Sequence, residues 1–289
     1  MSDITLSSAT RGNLLSLQST SNLIGRTQER LATGLKVNSA IDDALAFFKA
    51  RNLNSRAGDL SSLKDNIIGG ISVIRAGIQG LEGIEAVIKQ MKALAQSAIS
   101  TPESTTRAKL ASQFNELRSQ VDNLAEDASF NGVNLLKNTA DAFTGGADLL
   151  TVKFNERTDT ASVNQLIISG LNSTSFGEIL ATAAGIDAWG VTGTAAVTAI
   201  NASIRAIDSA LITVREAAQE FGTNAALLQI RADFTTNLIN TLKGGASELV
   251  NADLNEESAN LLSLQTRQQL GTISLSIAQR SEQSILRLF

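Results

Sequence analysis

Residues 197–221, VTAINASIRAIDSALITVREAAQEF, carry the pattern that decides the fold class. Apolar side chains recur at alternating intervals of three and four residues, which places them on one face of an α-helix. The run is unbroken, as is typical of a helix that packs against other helices along its whole length. The residues of this seam are Val197, Ile200, Ile204, Ile207, Leu211, Val214, Ala218 and Phe221.

Two further segments carry apolar residues at the same spacing. Because each seam needs a covering surface of the same kind, three seams predict a helical bundle. Glycines interrupt one of these segments repeatedly, which indicates close approach of neighbouring backbone or tolerated strain. One seam consists of Leu110, Phe114, Leu117, Val121, Leu124 and Ala128; the other consists of Ile67, Ile71, Ile74, Ile78 and Leu81 and then, one position out of register, Ile84, Ile88, Met91 and Ala95.

The composition supports a mostly α protein and excludes most active-site chemistry. A single proline in 289 residues allows long uninterrupted helices. The chain has no histidine and no cysteine, which excludes histidine-based triads, histidine or thiolate metal sites and disulfides. We therefore predict a non-enzymatic protein without a cofactor or a bound metal. A net charge of −4 and a pI near 5.1 argue against nucleic-acid binding.

The start of the chain, MSDITL, lacks the basic residues and apolar run of a secretory signal. No uncharged apolar stretch has the length of a membrane span, so we expect no membrane insertion. Taken alone, these features indicate a cytoplasmic protein, although export without a cleavable signal is compatible with them.

Helix start and stop signals divide the chain. Ser39 followed by Asp42 matches a capping box and predicts a long helix from there to about Ser100. Thr101 before Pro102 predicts an N-cap with proline at the first helical position. Phe130, Asn131 and Gly132 predict a structural turn, because Asn-Gly readily adopts positive φ angles.

The middle of the chain changes character. Residues 150–154 and 163–169 alternate apolar and polar side chains and flank a polar stretch, which predicts a β-hairpin. The fold class is therefore mostly α, a long antiparallel helical bundle with a small β-hairpin insertion.

Both chain ends are amphipathic helices. In the N-terminal one, Leu14, Leu17, Ile24, Leu31 and Leu35 share a face. The C-terminal one has two apolar stripes, and a single partner helix covers only one, so the other needs a larger core or a neighbouring subunit. We call Leu261, Leu264, Leu275, Ala278, Ile285 and Phe289 the first stripe, and Leu270, Ile273 and Ile277 the second stripe.

Several motifs resemble bacterial flagellin, the subunit of the flagellar filament. Residues 26–44, RTQERLATGLKVNSAIDDA, are similar to the N-terminal signature of the family, with Thr33 in place of the usual serine. Residues 130–136, FNGVNLL, and 252–257, ADLNEE, resemble two further family segments, with Asn251 where an aspartate often precedes the second. The resemblance covers residues 1–139 and 195–289, which makes it more specific than any single motif.

The resemblance implies a chain that runs outward and returns. Residues 1–35 and 250–289 would form an inner coiled-coil layer from both chain ends, and residues 36–139 and 195–249 an outer helical bundle. Residues 140–194 would be a short central insertion that contains the hairpin and faces solvent.

The function implied by the resemblance is polymerisation of identical copies through their terminal helices into the extracellular filament that serves motility. Implied partners are the chain itself, the flagellar export apparatus, an export chaperone, the filament cap and hook-junction proteins. Two alternatives stay open: a hook–filament junction protein with similar termini, and an adaptor that remains a small oligomer.

The candidate polymerisation interface combines residues of both chain ends with Asn38, Asp42 and Asp43 of the N-terminal signature. The terminal stripes could instead be the core of a monomeric bundle, and Asp42 and Asp43 could serve only to cap a helix. The candidate residues are Leu14, Leu17, Ile24, Leu31, Asn38, Asp42, Asp43, Leu264, Leu270, Ile273, Ile277, Ile285 and Phe289.

One family surface is altered in this chain. Many flagellins carry a Gln-Arg-x-Arg-Glu-Leu patch that the animal innate flagellin receptor recognises. Gln90 replaces the first arginine and Ala93 the glutamate, which removes a planar cation and its acidic neighbour. We therefore expect weak or absent receptor activation. The matching residues are Lys89, Gln90, Met91, Lys92, Ala93 and Leu94.

Overall fold

The structure, a computed structural model, describes residues 8–136, 149–156, 164–171 and 186–286. The prediction of a mostly α fold with a small β-hairpin is confirmed. The α-helices are α1 (Ser8–Thr33), α2 (Ala44–Ser100), α3 (Ser104–Asp127), α4 (Thr194–Val250) and α5 (Leu254–Leu286), and a 3-10 helix spans Ile186–Gly190. The strands are β1 (Ser129–Phe130), β2 (Val133–Asn134), β3 (Leu149–Lys153) and β4 (Gln165–Ser169).

The chain divides into two compact units. The terminal unit takes in residues 1–57 and 240–289, and the central unit takes in residues 58–239. Helices α2 and α4 contribute residues to both units, while α1 and α5 belong to the terminal unit only.

The core of the central unit forms where the three predicted seams meet. Ile84 and Ile88 of α2, Phe114 of α3 and Ile207 of α4 are all fully buried in one cluster. Val197, the first residue of its seam, is exposed at the start of α4. Ion pairs join the outer edges of α2 and α4 around this core, since Arg215 donates to the Glu85 carboxylate at 3.0 Å. The spacing of apolar residues therefore identifies the faces that pack.

A tight two-residue turn follows α3. Phe130 of β1 pairs with Val133 of β2, and the two residues between them have positive φ angles, 53° at Asn131 and 78° at Gly132. Positive φ at both central positions is the requirement of the favoured hairpin turn, and Asn-Gly meets it at little cost. The Asn134 side chain then donates to the carbonyls of Ala125 and Glu126, which satisfies the end of α3.

The second hairpin pairs β3 with β4 antiparallel, from Leu149 opposite Ser169 to Lys153 opposite Gln165. Leu150, Val152 and Ile168 turn inward and are buried in the central core. Beyond the last pair, the Phe154 N–H donates to the Asn164 carbonyl at 2.7 Å, which holds the two strand ends together.

Gly80 of α2 lies where the chain returns from the first hairpin. A Cβ atom added there would meet the Ala128 Cβ and the Leu136 Cδ1 atoms at 2.6 Å each. Since such distances are too short for carbon atoms, the glycine permits a close approach that no side chain would allow. Gly69, in the same helix, has no atom within 4 Å of such a position.

We expect Gly80→Ala to lower the free energy of unfolding by about 1–3 kcal/mol through overpacking, although alanine favours helix. Gly69→Ala is the matched control and is expected to raise it by about 0.5–1 kcal/mol. Urea denaturation followed by circular dichroism measures both. Equal changes of the same sign would show that helix propensity, and not packing, decides the result.

The predicted start of the long helix is wrong. Helix α2 begins at Ala44, and the Asp43 Oδ1 atom accepts from the Ala46 N–H at 3.0 Å, so Asp43 is the N-cap. Ser39 instead donates its hydroxyl to Asp42 at 3.0 Å, within a turn that precedes the helix. The motif offers two adjacent aspartates, and the second one caps. The predicted end at Ser100 is confirmed.

The predicted N-cap of the next helix is also wrong. Thr101 donates its hydroxyl to the Ser97 carbonyl at 2.8 Å and so completes the last turn of α2. Helix α3 begins at Ser104, with Glu103 at the N-cap and no side-chain cap bond. Pro102 therefore lies in the connection between the two helices, and its carbonyl accepts a hydrogen bond from Arg107 of α3.

Two of the described helices, α2 and α4, are long and apolar enough, by length and composition alone, to cross a membrane. The same helices supply most of the buried core of the central unit.

Candidate assembly surfaces

The two chain ends pair as antiparallel helices. Near one end of the pair, Arg30 of α1 donates to the Glu257 carboxylate of α5 at 2.9 Å. Further along, Leu17 of α1 lies so close to Gly271 of α5 that a Cβ atom there would meet the Leu17 Cδ2 atom at 2.9 Å. Because Gly271 has no side chain, α5 can approach α1 closely at the position where the Leu17 side chain lies between them.

Backbone hydrogen bonds fix the end of α1 against the connection between α4 and α5. Lys36 and Val37 donate their N–H groups to the Val250 carbonyl at 2.7 and 3.2 Å, and the Ala252 N–H donates to the Gly34 carbonyl at 2.9 Å. Gly34 has a φ of 72°, a conformation that glycine adopts without strain. These contacts position the loop that follows.

The two stripes of α5 lie in different surroundings. Leu261, Leu264, Leu275 and Ala278 of the first stripe are half-buried. Leu270, Ile273 and Ile277 of the second stripe are 61%, 56% and 62% exposed. The side chain of Ile285 and all of Phe289 lie outside the described residues.

The predicted residues of α1 divide in the same way. Ile24 is buried and Leu17 and Leu31 are half-buried, so these three contribute to packing inside the unit. Leu14 is 49% exposed. Among the predicted interface residues of α1, Leu14 is thus the one that contributes most to the outer surface.

Four exposed leucines in the described parts of the terminal helices were not predicted. Leu15 is 67%, Leu23 37%, Leu254 50% and Leu262 66% exposed. Two of them stand beside another leucine, as in Leu14-Leu15 and Leu261-Leu262. Since adjacent residues of a helix lie on different faces, such pairs are the signal that indicates a second apolar surface.

Residues 34–43 connect α1 to α2, and we call them the signature loop. This loop places Asn38, Asp42 and Asp43 at the surface. The Asp42 carboxylate accepts from the Ser39 hydroxyl, the Ser39 N–H and the Asn38 N–H, at 3.0, 3.0 and 3.2 Å. These hydrogen bonds, the Ser39 hydroxyl foremost, lower the pKa of Asp42. The ionised carboxylate therefore stabilises the loop at neutral pH, and this contribution is lost as the pH falls through the lowered pKa.

Several residues that match the receptor patch are buried or form ion pairs with other residues of the same chain. Met91 is fully buried, the Lys89 ammonium pairs with Glu85 at 3.1 Å, and Lys92 pairs with Asp208 of α4. Hydrogen bonds from Lys89 and then Arg215 lower the pKa of Glu85. Gln90 and Ala93 remain exposed.

Within the described ranges, no group of three or more acidic side chains lies close enough together to hold a metal ion. The surfaces described above present apolar side chains, hydrogen-bonding groups and ion pairs.

Comparison with known proteins gives consistent matches at both ends of the chain. Residues 4–141 match the bacterial flagellin N-terminal helical region, and residues 204–289 match the bacterial flagellin C-terminal helical region. The chain is 33% identical over 280 residues to Flagellin FljM of Caulobacter vibrioides, covering 96% of this chain and 94% of that protein. It is 28% identical over 326 residues to Flagellin C of Rhizobium meliloti, covering 100% and 99%.

A solved structure shares the fold. A putative flagellar hook-associated protein from Vibrio parahaemolyticus superposes with a TM-score of 0.58 at 16% identity, covering 73% of this chain and 100% of that chain. At this identity the likeness concerns the fold alone.

Proposed function

Because the chain belongs to the bacterial flagellin family and is thus a structural subunit of the extracellular flagellar filament, we propose that its copies polymerise through the apolar faces that its two terminal helices leave exposed. One observation carries this proposal. The second stripe of α5 is more than half exposed at each of its three residues, while the described residues of the first stripe are half-buried.

The free energy that favours assembly comes from burial of these residues between copies. Full burial of one large aliphatic side chain contributes about 1.5–3 kcal/mol. The free energy gained by burying Leu270, Ile273 and Ile277 together exceeds the cost of ordering a few side chains at an interface. We infer that the exposed face of α5 on one copy meets the exposed face of α1 on the next, a head-to-tail contact of the kind from which open helices are built.

We infer an inner layer made of residues 1–35 and 250–289, with residues 36–139 and 195–249 around it and residues 140–194 outermost. The antiparallel pairing of α1 with α5 supports the inner layer, and the central core of α2, α3 and α4 supports the outer bundle. Membership of the family supports export without a cleavable signal and contacts with an export chaperone, the filament cap and hook-junction proteins.

Seeded elongation tests the proposal. Purified chains added to short filament seeds are expected to grow long tubes, followed by light scattering and negative-stain microscopy. A variant that ends at Gly271 lacks Ile273 and Ile277 and is expected not to elongate. Circular dichroism must show that this variant keeps the helices of its central unit.

Two outcomes would contradict the proposal. Equal growth of the shortened variant would show that the part of the α5 stripes after Gly271 is not required for assembly. Discrete small particles from both chains would favour a junction protein or a small oligomeric adaptor.

The altered receptor patch leads to a second expectation. The exposed groups at Gln90 and Ala93 are a neutral amide and a methyl, which cannot make the charge-assisted bidentate contacts of an arginine or the ion pairs of a glutamate. We expect weak or absent activation of the innate flagellin receptor in a reporter-cell assay. The double variant Gln90→Arg, Ala93→Glu is expected to gain activity. A parent response equal to that of a patch-bearing flagellin at the same dose would refute this.

A further inference from the structure

The signature loop presents an apolar projection that the terminal helices do not explain. Ile41 is 96% exposed, and Leu45 and Phe48, four and seven residues later, are 67% and 53% exposed. Leu45 and Phe48 lie three residues apart in α2 and therefore share a face of its first turns, and Ile41 lies in the turn that precedes this helix. We call Ile41, Leu45 and Phe48 the knob.

The knob is held in place by its neighbours. Asp42 accepts three hydrogen bonds from Asn38 and Ser39, and Asp43 caps α2 through the Ala46 N–H. A loop that is already ordered loses little entropy when it binds. Exposure of a large apolar side chain on such a loop is unfavourable in water and indicates a surface that becomes covered.

A groove of about 540 Å³ lies next to the knob in the terminal unit. Its apolar lining comes from Leu35, Val37, Phe47, Ala50 and Val250. Polar residues, among them Arg51, Asn54 and Ser55, also line it. An apolar groove with polar groups around it fits an aliphatic side chain better than a charged one.

The knob and the groove are separate surfaces of the same chain. Phe47 lines the groove and Phe48 belongs to the knob, and their rings meet edge to face with centroids 5.6 Å apart. Neighbouring residues of a helix lie about 100° apart, so the two surfaces point in different directions. Since Ile41 is almost fully exposed, the chain does not fill its own groove.

We propose that in the filament the knob of one copy, with Ile41 at its tip, inserts into the groove of a neighbouring copy. The proposal rests on the self-assembly proposed above and assigns it a second contact, distinct from the α5 stripe. A second copy is the occupant that membership of a self-assembling family favours. A filament subunit meets copies of itself on several sides, and one projection and one recess on different faces form the head-to-tail contact that an open helix requires.

Cysteine cross-linking tests the contact directly, because the chain has no cysteine of its own. Ile41→Cys subunits and groove subunits carrying Ala50→Cys or Ser55→Cys are polymerised together with an excess of the parent chain and then oxidised. We expect covalent dimers from a mixture of knob and groove variants, because a disulfide requires Cβ atoms within about 4.5 Å. The same mixture of unpolymerised chains, and filaments that contain one variant only, are expected to give none.

An elongation assay measures the same contact by its strength. Ile41→Asp is expected to raise the critical concentration for seeded growth at least about tenfold, while Ile41→Val changes it little. Ile167→Asp is the matched control, since Ile167 of β4 is 51% exposed in the central hairpin and lies outside the knob. It is expected to elongate as the parent does.

The proposal is overturned if neither groove position gives dimers with Ile41→Cys, if Ile41→Cys cross-links to itself, or if Ile41→Asp elongates like the parent. Failure of the parent chain to elongate would instead contradict the self-assembly on which this rests. Normal growth of Ile41→Asp beside a shortened variant that does not grow would overturn the knob contact alone.

Discussion

Replacing Ile273 with aspartate is expected to abolish seeded elongation and to leave the stability of the monomer unchanged. Ile273 lies in the second stripe of α5 and is 56% exposed, so a carboxylate there meets water in the free chain. Between copies the same carboxylate would lose its hydration without gaining a partner, in addition to the lost apolar burial. Together these effects raise the critical concentration at least about a hundredfold.

Ser274→Asp is the matched control, because it places the same charge on the next, polar and exposed residue of the same helix. It is expected to elongate close to the parent rate. A complementary variant, Leu275→Asp, lies in the first stripe and is expected to weaken the pairing of α1 with α5 in the monomer, visible as lower helicity. If Ile273→Asp and Ser274→Asp behave alike, general charge repulsion decides assembly and the second stripe does not.

The second large effect concerns Arg107, a buried cation of α3. In the described part of the chain, its guanidinium donates four hydrogen bonds, all to backbone carbonyl oxygens. Its Nε atom donates to the Trp189 carbonyl at 2.8 Å, its Nη1 atom to Thr101 and Pro102 at 2.9 and 2.7 Å, and its Nη2 atom to Val191 at 2.7 Å. The guanidinium thus joins the connection before α3 to the 3-10 helix that precedes α4. Trp189 is fully buried there, with its ring centroid 5.2 Å from that of Phe114.

Arg107→Ala is expected to lower the free energy of unfolding by about 3 kcal/mol, because it removes four charge-assisted hydrogen bonds and takes this donor from the buried Trp189 carbonyl. Urea denaturation followed by the fluorescence of Trp189, the only tryptophan, measures the change where it arises. A red shift of the emission before the main transition would show that the 3-10 helix loosens first. Arg107→Lys is expected to fall between, since one ammonium cannot span these carbonyls as the guanidinium fork does.

Lys109→Ala serves as the control, since Lys109 is an exposed cation of the same helix. Its effect is expected to stay within about 0.5 kcal/mol. Equal denaturation midpoints for the Arg107 and Lys109 variants would contradict the structural role of the buried guanidinium.

The sequence supports prediction where the signal is periodic and local. The spacing of Ile207 and Val214 identifies a buried face because every residue of a helix has a fixed direction, and the two stripes of α5 follow from the same geometry. Asn131-Gly132 predicts its turn because few other residues adopt positive φ at both positions. These features require no knowledge of distant contacts.

Prediction from the sequence failed where choice depends on distant partners or on competing neighbours. Ser39, Asp42 and Asp43 all suit a cap, and the fold selects Asp43 because Asp42 accepts hydrogen bonds from the preceding loop. Arg107 resembles any solvated cation of a helix, since Trp189 and Val191, which accept its hydrogen bonds, lie 82 and 84 residues further along the chain. The exposure of Ile41 likewise depends on how the loop is folded.

The hydrogen bond between the Phe154 N–H and the Asn164 carbonyl has a consequence for the insertion of new sequence into this chain. It closes the ends of β3 and β4 on each other at 2.7 Å, while their inward residues are fixed in the core. Lengthening a segment whose ends already meet costs little entropy, about 0.6 kcal/mol for each doubling of its length. A foreign peptide grafted between these two residues is therefore expected to leave the pairing of β3 with β4 unchanged. We expect the hairpin to give one helical scaffold a place at which sequence can be added without refolding the core.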